Sequence, residues 1–141
     1  MSKLIFVNLP VSDLERATVF YEAIGATKNE QFCDATASCM VFSDTIHAML
    51  LTHDKFRQFT PKAIADSRTT TEVLICLSAE SREAVDTMIE KAAAGGKADP
   101  SPKQDHGFMY GRSFEDLDGH IWEVAWMDVE AAMKAREPAA A

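Results

Sequence analysis

Residues 6–25 read FVNLPVSDLERATVFYEAIG, and their order of elements carries the fold. The stretch opens inside a strand-like run, 3–10, rich in Ile, Phe, Val and Leu. SDLE at 12–15 follows as a capping-box pattern, in which the Ser12 and Glu15 side chains each satisfy a backbone N–H left free at a helix start. Leu14, Ala17, Tyr21 and Ile24 then recur at helical spacing, and Gly25 supplies the stop. Strand, cap, helix and glycine make the first half of a βαβ-type unit.

Three strands are predicted next, at 27–32, 37–42 and 46–52, with Ser43 and Asp44 turning between the last two. A polar stretch, 53–70, interrupts the pattern. Its Phe56, Phe59 and Ile64 predict a linker that packs on something. The order then starts again. A strand at 71–78 leads to a helix capped by Ser81, whose Val85, Met88, Ile89 and Ala92 share one face and whose end is Gly95-Gly96. A short edge strand at 97–102 is limited by Pro100 and Pro102. Strands at 108–116 and 120–127 join through Asp118-Gly119. The tail, 128–141, is Ala-rich, with helix expected over 129–136 and fraying from Pro138.

Strand–helix–strand–strand–strand therefore occurs twice, as a repeat of element order. Neither half alone can bury both a sheet face and a helix. The expectation is one α+β domain over 1–141: module one at 3–52, a linker at 53–70, module two at 71–127, then the tail. Two βαβββ modules would form a curved mixed-sheet half-barrel cavity with the helices outside.

Composition bounds the partners. The 141 residues are 47% hydrophobic and 26% charged, which is ordinary for a globular domain. A net charge of −8 with no Lys/Arg cluster excludes nucleic acid as the expected partner. No apolar run approaches the roughly 20 residues of a membrane span, and the N-terminus lacks the long apolar region of a secretory signal. Cys33, Cys39 and Cys76 are odd in number and form no C-x-x-C pair, which points to free thiols in a reducing cytoplasm.

The element order, the opening stretch and GRSFEDLDGHIWEVAWMD at 111–128 together resemble the glyoxalase/bleomycin-resistance/extradiol-dioxygenase superfamily, the vicinal oxygen chelates. HDKFRQFTPKAIAD at 53–66 and QDHGFMYGRSFEDLDGHIWE at 104–123 resemble its predicted lactoylglutathione lyase subgroup. The resemblance spans 3–127. It implies a ligand cavity on the concave sheet face, a homodimer, and, in metal-using members, one ligand on the first and one on the last strand of each module. Carried onto this chain, those positions fall at Phe6, Met49, Leu74 and Glu123. Only Glu123 keeps a metal-competent side chain, so no metal and no other cofactor is expected. Asn8 and Glu72 share strand parity with Phe6 and Leu74, and His47 with Met49. A set of His47, Glu72 and Glu123 is the alternative.

The polar candidates each carry two readings. Glu123 sits among Ile121, Trp122, Val124 and Trp126, where an unpaired carboxylate is costly. It is either a hydrogen-bonded structural group or a cavity base. His106, between Gly107 and Gln104-Asp105, is either a turn residue or a proton donor and acceptor at the cavity mouth. Tyr110 and Arg112 alternate with Phe108 and Phe114. Facing inward they would clamp a ligand carboxylate, and facing outward Arg112 would pair with surface acids. Asn8, in an apolar strand, binds either a ligand or a neighbouring strand. Cys76 shares parity with Leu74 and is a candidate cavity-lining thiol with no base beside it in sequence.

Two functions follow from the resemblance. One is a lyase or isomerase of the glyoxalase type, moving a proton on a small oxo compound or thiol adduct, with Glu123 and His106 as catalytic groups. There, without a metal, Tyr110 and Arg112 would also have to hold the ligand and stabilise its charge. The other is a non-catalytic protein of the bleomycin-resistance type, holding its ligand against an apolar wall of Phe6, Met49, Leu74 and Cys76, with Asn8 and Glu123 as orienting polar groups.

Overall fold

The computed structural model describes residues 2–136. The first module runs β1 (Ile5–Val11), α1 (Leu14–Ala23), β2 (Thr27–Lys28), β3 (Ala37–Val41) and β4 (Ile46–Thr52). The second runs β5 (Ile75–Ser78), α3 (Arg82–Ala93), β6 (Lys97–Ala98), β7 (Gln104–Asp105), β8 (Met109–Glu115) and β9 (Ile121–Met127). A short helix, α2 (His53–Arg57), follows β4, and α4 (Val129–Arg136) follows β9. The predicted fraying from Pro138 lies outside the described residues. This is the expected α+β fold of two βαβββ modules.

Each module folds into its own mixed, unclosed sheet, in the orders β1-β4-β3-β2 and β5-β9-β8-β6, with β7 paired to β8. The first and last strands of each module, β1 with β4 and β5 with β9, pair in parallel. β1 and β5 are consequently edge strands, opposite the short edge strands β2 and β6.

Period-two alternation divides each sheet between a helix face and an open face. On the helix face of the first sheet, Leu9, Val11, Met40, Ala48 and Leu50 are buried with Ala17, Phe20 and Tyr21 of α1. In the second sheet Leu77, Phe114, Trp122 and Val124 bury against Val85, Ile89 and Ala92 of α3. The two cores are continuous, because Phe20 and Tyr21 reach across to Phe114 and Trp122.

Four expectations shift at element ends. Only Thr27–Lys28 of the predicted strand 27–32 pairs, and a 3-10 turn follows at Glu30–Phe32. The strand at 71–78 begins at Ile75. Only Lys97–Ala98 of the predicted strand 97–102 pairs, because Asp99 adopts a left-handed backbone (φ 50°) ahead of Pro100, and a separate two-residue strand follows at Gln104–Asp105. The helix cap is Asp13, which accepts from the Arg16 N–H. Ser12 instead donates its N–H and hydroxyl to Asp118 at 2.9 and 2.8 Å. A long-range acceptor outcompetes the local box.

That Asp118 belongs to the tight loop 116–120, which locks the modules together. Asp116 accepts from Tyr21 Oη at 2.5 Å and from the Asp118 and His120 N–H groups at 2.9 Å each. Trp122 Nε1 donates to the same Tyr21 oxygen at 2.9 Å. Gly119 takes φ +90°, where a Cβ would meet the Ser67 carbonyl at 2.6 Å. The loop 53–70 is therefore not a free linker; Ser67 and Arg68 bond the Asp118 and Leu117 carbonyls.

Candidate functional site

The open face of the second sheet centres on Glu123. The register places it directly opposite Cys76 on β5 and Ser113 on β8, so the three side chains form one row across β5, β9 and β8. Glu123 is half-buried, and its carboxylate has no hydrogen-bond or ion-pair partner among the described residues. Cys76 is exposed; partial desolvation, and after it the Glu123 carboxylate, push its thiol above the ordinary range. Ser113 is 5% exposed, and its hydroxyl has no hydrogen-bond partner among the described residues.

On the open face of the first sheet, Phe6 stacks on His47 with ring centroids 4.6 Å apart. His47 Nδ1 is buried there without a partner among the described residues. Asn8 and Met49 are paired in the next row, followed by Cys39. Phe6 and Leu74 stay exposed, at 50% and 55%.

Between the modules lies a cavity of about 280 Å³. Phe56, Ile64, Val73, Ile75 and Ile121 are its large apolar lining residues, and Asn8, Lys62, Glu72 and His120 are among its polar ones. Ile121 shares the Glu123 face and lies two residues before it, about 7 Å along the strand at the usual rise. Glu123, Cys76 and Ser113 do not themselves line the cavity; Ile121 is the wall residue that shares their face. Phe56 and Ile64 were legible in sequence as apolar residues in a polar stretch; the packing target was not.

Tyr110 and Arg112 do not join this site. Their parity follows Phe114, which is wholly buried under α3, so both turn to the helix side. Arg112 donates to Asp86 at 2.8 Å and grips Asp99 through Nε and a terminal nitrogen at 3.1 and 2.6 Å. Tyr110 Oη donates to the same Asp86 oxygen at 2.6 Å. The bonds from Tyr110 and Arg112 hold the Asp86 carboxyl below the usual range, and Arg112 holds Asp99 below it. Of the two facings open in the sequence, the outward one holds: Arg112 pairs with two acids of this chain, Asp86 and Asp99.

His106 is also displaced. It sits in the turn between β7 and β8, exposed and stacked near Phe108 at 6.2 Å. Ser113 marks the Glu123 row, and β8 begins four residues earlier, roughly 13 Å away at the usual strand rise. His106 lies beyond that end, so within this chain it does not pair with Glu123.

The four positions implied for metal ligands carry Phe6, Met49, Leu74 and Glu123, which offer one hard donor and no set. His47 lies on the other sheet and Glu72 lines the intermodule cavity, so the alternative set does not assemble within the chain. Among the described residues no group of three or more His, Cys, Asp or Glu is placed to hold an ion. Within one chain these residues do not make up a divalent-metal donor set.

No protein-family model and no curated protein matches the chain. Solved structures do. A hypothetical protein, SA1046 from S. aureus, is 29% identical, with a TM-score of 0.72 over 89% of this chain and 95% of its own. A glyoxalase/bleomycin resistance protein/dioxygenase family enzyme from Burkholderia phytofirmans PsJN is 17% identical, with a TM-score of 0.71 over 89% of this chain and 99% of its own. The chain has the glyoxalase/bleomycin-resistance/dioxygenase fold. The fosfomycin resistance protein FosX from Listeria monocytogenes, complexed with Mn(II) and sulfate, shares that fold at 21% identity and a TM-score of 0.68, over 97% of this chain and 99% of its own. No helix among the described residues is long and apolar enough to cross a membrane.

Proposed function

We propose that this chain belongs to the glyoxalase/bleomycin-resistance superfamily and binds a small, partly apolar molecule in the intermodule cavity, with the ligand's polar end towards Glu123. The carrying observation is the apolar wall of Phe56, Ile64, Val73, Ile75 and Ile121, with Asn8 as an orienting amide; Ile121 stands on the same strand face as the unpartnered Glu123, two residues before it. Ligand sites commonly combine an apolar wall with a few fixed polar groups. A thermal-shift screen with thiol conjugates and aromatic acids tests this. A shift in the wild type that Ile121→Lys removes supports the reading, and no shift with any class sinks it.

The second reading is proton transfer of the lactoylglutathione lyase kind on a small oxo compound or thiol adduct. Glu123 favours it, being a half-buried base on the open face with free lone pairs. Such chemistry needs a group that withstands the developing enediolate charge. The Ser113 hydroxyl and Asn8 amide are the donors this chain offers. Glu123→Gln should then abolish turnover of a hemithioacetal substrate while leaving the thermal-shift response in place.

A homodimer is part of the same proposal. β1 and β5 are edge strands, and Leu4, Ile5, Phe6, Val73 and Leu74 are exposed beside them. Long apolar edges are a liability unless covered. A second copy's β1 laid along β5 would cover both and bring Phe6, Asn8 and His47 over the Glu123 row. The free thiols suit a cytoplasmic location.

A further inference from the structure

The open face holds a thiol that the binding reading leaves unused. Cys76 is exposed and directly opposite Glu123 in the β5–β9 register, on strands about 4.8 Å apart. The row does not end there: on the far side of Glu123, the 5%-exposed Ser113 presents a hydroxyl with no partner among the described residues. An orphaned buried hydroxyl costs free energy unless something completes it. Thiol and carboxylate thus lie side by side on the open face with the hydroxyl buried at the end of their row, and Ile121 of the cavity wall stands on the same face two residues before Glu123.

We propose that Cys76 and Glu123 form a nucleophile–base pair that captures a small α,β-unsaturated carbonyl compound covalently. The substrate's apolar end lies towards Ile121 and its carbonyl oxygen accepts from Ser113. This deepens the proposed function and rests on its assignment of the Glu123 face. The Cys76 S–H bond breaks, with its proton passing to the Glu123 carboxylate, and the sulfur lone pair forms the S–C bond at the β-carbon. The C=C π electrons move to the α-carbon and carbonyl oxygen, where the Ser113 hydroxyl meets the developing charge. Glu123 then delivers its proton to the α-carbon. The product is a saturated thioether ketone or aldehyde on Cys76, and no oxidant or further reactant is needed.

Base assistance is what this thiol requires. The environment keeps it protonated, so little free thiolate exists near neutral pH. This gives the test an opposite sign for the two explanations. If Glu123 acts only through its charge, Glu123→Gln removes a repulsion, lowers the thiol's pKa and speeds addition. If Glu123 takes the proton, the same change slows it.

The experiment treats the wild-type chain and Glu123→Gln with methyl vinyl ketone, then follows each cysteine by peptide mass spectrometry, with Cys33 as internal reference. The expected result is that Cys76 outpaces Cys33 in the wild type and slows by at least about tenfold in Glu123→Gln, the lower range of general-base effects. Equal rates at the two cysteines, or faster labelling in Glu123→Gln, overturn the proposal. Should Glu123→Gln fail to fold, the wild-type pH profile decides. Addition through Glu123 levels off below the thiol range, whereas a free thiolate's rate climbs about tenfold per pH unit, and that slope overturns the pair. A thermal shift with non-electrophilic ligands that persists while Cys76 fails to label separates this failure from failure of the binding reading.

Discussion

Tyr21→Phe is the substitution that bears most directly on how the two modules hold their site together. The phenylalanine ring keeps the edge contacts to Phe20 and Trp122, whose centroids lie 5.3 and 5.9 Å from Tyr21. What disappears is one oxygen that serves two buried groups, accepting from Trp122 Nε1 and donating to Asp116. Each orphaned buried polar group costs about 1–3 kcal/mol. Two of them, with some relaxation, predict a loss of roughly 2–5 kcal/mol, against about 5–15 kcal/mol for a whole domain.

The same loss has a pH signature. Burial is the main force pushing the Asp116 carboxyl up, and the Tyr21 bond is among those that pull it back. A carboxyl whose folded pKa exceeds its unfolded value holds its proton more tightly when folded. Stability therefore declines as pH rises from the unfolded carboxylate range through the folded value, and acidification restores it. Losing the Tyr21 donor raises the folded value further. The deficit of Tyr21→Phe should consequently be larger at about pH 8 than at about pH 5.5. Urea titrations of both proteins, compared at unchanged slope, measure it. A deficit under about 1 kcal/mol at both pH values would mean that the shared oxygen does not carry the junction.

Three further outcomes follow from named contacts. Gly96→Ala places a Cβ 2.0 Å from the Glu115 carbonyl, a backbone atom that cannot swing aside, so a thermal melt should show a loss of several degrees or failure to fold. Arg112→Met frees Asp86 and Asp99 from their shared cation and should cost about 1–3 kcal/mol, less than a fully buried pair because both acids are partly exposed. Those two carboxyls are held low, so their contribution exists above the unfolded carboxylate range and is lost as pH falls through the depressed folded values; chemical melts of wild type and Arg112→Met should converge in acid. Val73→Lys together with Ile5→Lys charges the exposed apolar residues at β5 and β1, and if the proposed dimer forms there, sedimentation should show it give way to a monomer.

The sequence made the architecture legible because both βαβββ units obey local rules. Ala17, Tyr21 and Ile24 recur with helical spacing and are buried, and Val85, Ile89 and Ala92 do the same in α3. Long-range competition was not legible. Ser12 looked like a cap until Asp118, 106 residues away, claimed it. Tyr110 and Arg112 could face either way from alternation alone; the packing of Phe114 under α3 settles it, and no local pattern reports that packing. The cavity was half visible, in the misplaced apolar character of Phe56 and Ile64, because a loop's target lies outside its own sequence. Cys76 stood without a base until the parallel register set it opposite Glu123.

Two acids in the final hairpin show why Glu123 merits a functional account. Asp116 is the structural carboxylate: it is buried, receives three donors and joins the modules. Glu123 is seven residues on, beside Trp122, and alternation alone sends it to the opposite face while Trp122 fills the core. If it were there for stability, some donor should reach it, as donors reach Asp116. None among the described residues does, and the rows around it hold an unpaired hydroxyl and an exposed thiol. Asp116 is thus satisfied by this chain's own donors, whereas the Glu123 carboxylate stays partly exposed on the open face, where water or a bound molecule can reach it.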